Sequence, residues 1–249
     1  MEEILKTSQH FLLLVFWTIV PFLNLVKIKD TGKGFLKLLL TISFVAGLIA
    51  GLFYLHPLLS IDRTPALILI AGYGFLVATY FFGDEDKDIV NHTLINCFTF
   101  LALLFYYEIS NDLFAFTFWI SKFVVFGVLS FAMILGHYYL VVPKLSEKPL
   151  KVAHYISWGG LLLACVYFVV SALNMNLSFS FLHLTETIFL TMRALWGIVA
   201  VFILSIFSYK LSKMRSTQSA TGVLYVIVFF LIVGELMSLY FYVSKGVYL

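Results

Sequence analysis

Four ionisable side chains interrupt long hydrophobic runs in this sequence: Lys122, Glu186, Arg193 and Glu235. Charges at membrane depth are costly unless paired or wetted, so they face a bundle interior and mark ion paths, proton relays or anchored anions. Six histidines form the second set of candidates. His92, His137 and His154 lie near one end of three consecutive apolar segments, and His10, His56 and His183 lie toward the opposite end. Neutral imidazole is a good iron ligand, and a membrane haem takes its axial ligands from facing helices.

Helical phase groups these residues. Lys122, Phe126, Ser130, Met133 and His137 share one stripe, and His183, Glu186, Leu190, Arg193 and Gly197 share another. Thr221, Tyr225, Val228 and Glu235 form a third, and His92, Asn96 and Thr99 a fourth.

The elements that carry these stripes follow from composition. Of 249 residues, 62% are hydrophobic, 18% aromatic and only 12% charged. A soluble domain carries roughly twice that charged fraction, so a water-soluble globule is excluded. The net charge of +3 gives no nucleic-acid footprint. Eight segments are long and apolar enough to span a bilayer: 10–27, 35–55, 65–83, 89–108, 113–142, 152–173, 179–208 and 218–244. Their runs are too long for barrel strands and do not alternate.

Loop charges set an expected orientation. With the amino terminus outside, eleven Lys and Arg residues fall in cytoplasmic loops, from Lys27 to Arg215, against Lys6, Arg63 and Lys245 on the other side. The expectation is one all-α transmembrane bundle over 1–249, with both termini non-cytoplasmic, in a prokaryotic-type cytoplasmic (inner) membrane. The acidic opening Met1-Glu2-Glu3 lacks the basic start of a signal peptide, so the first segment reads as a retained span. Cys97 and Cys165 read as small apolar side chains, and the acidic run Asp84–Asp88 as a solvated turn.

Depth suggests partners. Counted from the cytoplasmic ends, Arg193 is 15 residues in and Glu235 17, while Lys122 is 20 and Glu186 is 22. The expected pairs are Arg193–Glu235 and Lys122–Glu186.

The eight-helix layout and the histidine-bearing stripes resemble polytopic bis-histidine b-type cytochromes of respiratory chains. That resemblance implies haem b, in one or two copies, and electron exchange with a quinone or a respiratory-chain partner. His137 would be one axial ligand, with His92 or His154 opposite; His183 with His10 or His56 would hold a second haem. Lys122 and Arg193 would neutralise propionates or a reduced quinone, with Glu186 and Glu235 as counter-charges or proton carriers. Gly136 and Gly159-Gly160 would leave room for the macrocycle. The chain departs from cytochrome b in having no helix with two histidines. It also lacks the Glu-x-x-His pair of haem A synthase, since His183-Leu184-Thr185-Glu186 runs the other way.

No P-loop, GxGxxG, HExxH, CxxCH or GxSxG element is present, so ATP-driven transport, nicotinamide chemistry and zinc proteolysis have no support. The leading expectation is a membrane haem b protein moving electrons within or across the bilayer. The alternatives are a proton-coupled secondary transporter using Lys122, Glu186, Arg193 and Glu235, and a non-catalytic membrane subunit of a larger complex. A homo-oligomer is compatible with each.

Overall fold

In the computed structural model, residues 2–54, 62–84, 86–110, 112–142, 145–174 and 184–249 are described. The first span opens with helix α1 (Glu2–Thr18) and tightens into a 3-10 turn (Val20–Leu25) where Pro21 enters at the first helical positions. Proline has no N–H to continue the α ladder, so the geometry changes there. Then follow α2 (Ile28–Phe53), α3 (Arg63–Phe82), α4 (Asp88–Glu108), α5 (Leu113–Val141) and α6 (Lys148–Asn174). The seventh span is composite: α7 (Leu184–Met192), a π-helical stretch (Arg193–Ala200) and α8 (Val201–Lys213). Helix α9 (Thr217–Lys245) closes the bundle. All eight spans are long and apolar enough to cross a membrane. The protein is an integral, multi-pass helical bundle.

Boundaries differ from expectation where polar residues continue an apolar helix. The first span begins at Glu2 rather than residue 10, the second starts at Ile28 rather than 35, and the seventh runs on to Lys213 rather than ending at 208. Tyr209-Lys210-Leu211-Ser212-Lys213 adds more than a turn to that helix, because a helix propagates through polar residues once nucleated by an apolar stretch. The start of the expected seventh segment, 179–183, lies outside the described residues.

Helix α5 is the centre of the bundle, packed against α1, α6 and α9. It starts cleanly because the Asp112 side chain accepts the Ala115 N–H at 2.6 Å. Its close approach to α1 needs a missing side chain: a Cβ at Gly127 would lie 2.3 Å from the Thr18 carbonyl oxygen. Around it, Phe16, Trp17, Phe98, Phe105, Tyr106, Phe118 and Phe131 are all buried. Gly47 of α2 sits against Phe16 and Tyr73, a close helix contact that a side chain would obstruct. Leu52, Leu67, Ile70, Phe81, Phe100, Leu162 and Phe229 are exposed on the outside, as a bilayer-facing surface requires.

Candidate functional site: a carboxylate between two buried cations

Lys122 on α5, Arg193 at the start of the π segment and Glu235 on α9 converge inside the bundle, at 1%, 2% and 2% exposure. Lys122 Nζ donates to Glu235 Oε2 at 2.5 Å and to Ser238 Oγ at 2.6 Å. Arg193 Nη1 donates to the other carboxylate oxygen, Glu235 Oε1, at 2.7 Å. Lys122 Nζ also lies 4.5 Å from the centroid of the Phe118 ring, a cation–π contact. Each carboxylate oxygen therefore takes one cation.

The helices set these side chains level. Lys122 and Arg193 each lie nine residues from the starts of α5 and α7, and Glu235 lies ten from the end of α9. At a rise of about 1.5 Å per residue this puts all three roughly 14 Å inside the same end of the bundle, within the hydrocarbon region. The backbones come close there as well. A Cβ at Gly234 would lie 2.3 Å from Gly197 Cα, so the π segment and α9 touch backbone to backbone one turn beyond Arg193. The π geometry sits inside an otherwise α-helical span at the site itself, where such bulges are commonly functional.

Residues 246–249 cap this end. Gly246 adopts a left-handed conformation (φ 67°) that turns the chain back after α9. Tyr248 then packs on Phe114, Phe118 and Tyr242, and Leu249 is buried. Ser238 Oγ, which accepts from Lys122, donates to the main-chain oxygen of Leu249.

The expected Arg193–Glu235 pair is present and the Lys122–Glu186 pair is not. Glu186 occupies the first turn of α7 and bonds Lys245, in the last turn of α9, at 2.8 Å. The misassignment comes from the true end of the seventh span. Counted from Lys213, Val141 and Thr217, the depths are 20 for Arg193, 19 for Lys122 and 18 for Glu235, while Glu186 moves out to 27.

The histidines separate. His154 on α6 is fully buried, and its Nδ1 donates to the Leu150 carbonyl at 2.7 Å. Nε2 then carries the lone pair, and it has no protein partner among the described residues. His137 is exposed on α5 and turns to the Tyr225 hydroxyl on α9 at 3.1 Å. His92 on α4 donates from Nδ1 to Asn24 Oδ1 at 2.7 Å, and Asn24 Nδ2 in turn donates to Asn96 at 2.9 Å. This stripe of α4 does not face inward: the buried face is Asn91, Ile95, Phe98, Ala102 and Phe105. His10 donates to the Lys6 carbonyl at 2.7 Å and stacks on Trp119. His56 and His183 lie outside the described residues.

The room expected beside Gly136 and Gly160 is used for helix packing, while the space beside Gly159 is open. Gly136 abuts Thr221 and Leu224 of α9, and Gly160 abuts Val124 and Val125 of α5. The acidic turn is tied down by Lys33, whose Nζ lies 2.8 Å from Asp84. Among the described residues, no three His, Cys, Asp or Glu side chains converge as a metal site.

Sequence reasoning missed Ser238, Gly234 and the returning 246–249 segment. Ser238 and Gly234 flank Glu235 at +3 and −1, a spacing that could have drawn attention to them.

Together the fold and the cluster define a polytopic membrane protein with a network of ionisable side chains inside its spans. No protein-family model, curated protein or solved structure matches the chain.

Proposed function

We propose that this protein is a secondary transporter that moves a small anion together with a proton, with Lys122, Glu235 and Arg193 as the coupling centre. The observation that carries this reading is the charge count of the buried cluster: two cations share one carboxylate. An excess positive charge inside a low-dielectric interior is costly. The cluster balances in two ways. Lys122 releases its proton, or it keeps the proton and an anion joins the site. Alternation between these states moves one proton with each monovalent anion.

Arg193 suits the anion-binding role. Its Nη1 is committed to Glu235, whereas its buried Nε has no protein partner among the described residues. Guanidinium presents a planar fork to carboxylate or phosphate oxygens. The Gly197–Gly234 contact and the π segment supply a seam where α9 and the seventh span can shift against each other. The lysine and arginine bias supports an orientation with both termini on the non-cytoplasmic side, which would put the cluster nearer that face.

Proteoliposomes loaded with a pH-sensitive dye test this directly. At pH 6, adding nitrate, lactate or dihydrogen phosphate outside should acidify the lumen for at least one of them beyond the protein-free control, and Glu235→Gln should abolish the response. Unchanged proton flux in Glu235→Gln would leave the cluster as a fastener between helices.

A second reading is supported by His154. A buried imidazole that donates from Nδ1 to a carbonyl and holds Nε2 free has the arrangement of a metal-ligating histidine. In that reading the protein would be a haem b electron carrier, with His154 as one residue holding the haem and a quinone as redox partner. Haem would supply one-electron transfer, and the cationic excess at Lys122 and Arg193 would offset an anionic quinone. The adjoining helix surfaces at Gly136 and Gly160 are filled by side chains, which disfavours a macrocycle at those two positions. A Soret band in purified protein supplied with haem, lost in His154→Ala, would establish this reading; its absence would sink it.

A further inference from the structure

The opposite end of the bundle holds a different charged site. A cavity of about 700 Å³ opens between the turn joining α5 to α6 and the turn joining α8 to α9. Its polar lining includes Glu147, Lys148, Lys151, Arg215 and Thr217. Among the described residues, three cations face one carboxylate, and that carboxylate is already engaged: Glu147 lies 3.1 Å from Lys151 Nζ and 3.5 Å from Arg215 Nε. The Arg215 side chain is 87% exposed, so most of its guanidinium remains available.

The backbone holds this arrangement at some cost. Ser216 N–H bonds the Leu211 carbonyl and Arg215 N–H bonds the Ser212 carbonyl, which is the pairing of a Schellman helix end. The left-handed position of that motif favours glycine, yet it is occupied here by Arg215, with φ 59°. A glycine would close the helix better but would remove the guanidinium from the cavity rim. Two helix amino termini also border the cavity, at Lys148 of α6 and Thr217 of α9. Ser216 bonds Ser219 rather than capping α9, so the first turn of α9 has no side-chain cap. Helix starts carry partial positive charge, which adds to that of the side chains. On the other wall, Tyr139 donates to the Ser146 carbonyl at 2.6 Å and ties Ser146 to the last turns of α5.

The apolar part of the lining points to the source of the anion. Val142 and Leu145 line the cavity, and Leu140 and Val141 immediately before them are exposed on the last turn of α5. A headgroup seated among Lys148, Lys151 and Arg215 would have its acyl chains beside an open hydrocarbon surface. We propose that this cavity binds a phosphate group, carried by an anionic phospholipid. Cationic pockets at membrane-helix ends recognise such headgroups through charge and hydrogen bonding. The proposal is independent of what passes through the buried cluster.

The test uses the full chain in phosphatidylcholine nanodiscs titrated with phosphatidylglycerol, with bound lipid read by native mass spectrometry. One phosphatidylglycerol per chain is expected to be retained, with affinity reduced about tenfold or more in Lys148→Ala/Arg215→Ala. Inorganic phosphate is the second arm: failure to displace the lipid supports the phospholipid, whereas displacement at low millimolar concentration overturns the lipid in favour of a soluble phosphate ligand. Equal lipid retention by wild type and double variant overturns the site altogether. Glu147→Gln keeps the test open should the double variant fail to fold. It removes the opposing carboxylate and should hold the lipid as tightly or more tightly, and weaker retention would overturn the proposal.

Discussion

Two glutamates in this protein each bridge a lysine and an arginine, in surroundings that could hardly differ more. Glu235 lies 2.5 Å from Lys122 and 2.7 Å from Arg193, with all three side chains buried. Glu147 lies 3.1 Å from Lys151 and 3.5 Å from Arg215 at the end of the bundle, where it is partly covered and Arg215 is open to solvent. The residue types are the same and the consequences are opposite. In the interior, water cannot replace a lost partner, so each charge depends on the others. At the bundle end, water and salt substitute readily, and the same trio is free to exchange partners with a ligand. The buried trio therefore suits coupled protonation and anion entry, and the partly exposed trio suits recognition.

The largest expected break in this comparison comes from Glu235→Gln. It leaves two buried cations without their carboxylate and should cost about 3–5 kcal/mol, read as a lowered unfolding temperature in detergent. Next is Gly234→Ala. Its Cβ meets the Gly197 backbone, which cannot swing aside as a side chain would, so overpacking of about 1–3 kcal/mol is expected, together with loss of proton-coupled flux.

Replacing the whole trio with apolar residues, as in Lys122→Met/Arg193→Met/Glu235→Leu, should change stability by less than about 2 kcal/mol, because no charge is left stranded. Flux should still vanish. A folded triple variant that retains flux would remove the cluster from function. Ser238→Ala, which removes one hydrogen-bond partner of Lys122 and the link to Leu249, should cost about 1 kcal/mol.

Smallest is Glu147→Gln, at less than about 1 kcal/mol, with the difference disappearing in 1 M salt. A loss there as large as that of Glu235→Gln would erase the distinction between the two trios.

Most of the bundle was legible without coordinates, since eight apolar runs have few other structures available to them in lipid. The Arg193–Glu235 pair was legible as well, because helical phase and depth place both side chains inward at comparable levels. Lys122 was correctly read as inward, but its partner was not. The seventh span's extension to Lys213 shifted the depth of Arg193 and Glu186 by five residues relative to an end at 208. Apolarity marks where a helix enters lipid and says little about where it stops. The α4 stripe failed for a related reason: His92, Asn96 and Thr99 are only weakly amphipathic against a helix that is apolar all round, so phase alone could not tell which side faces α1 and α5.

Class, span number and the scarcity of intramembrane charge were written in composition and periodicity, because hydrocarbon imposes the same demand on every residue of a span. The meeting of Lys122 with Glu235 and Ser238, the Gly197–Gly234 contact, the free Nε2 of His154 and the left-handed Arg215 emerged only in three dimensions. Those features depend on which helices adjoin and how each is rotated. In a bilayer, where lipid is as apolar as the helix surfaces themselves, close packing and a few polar contacts decide that.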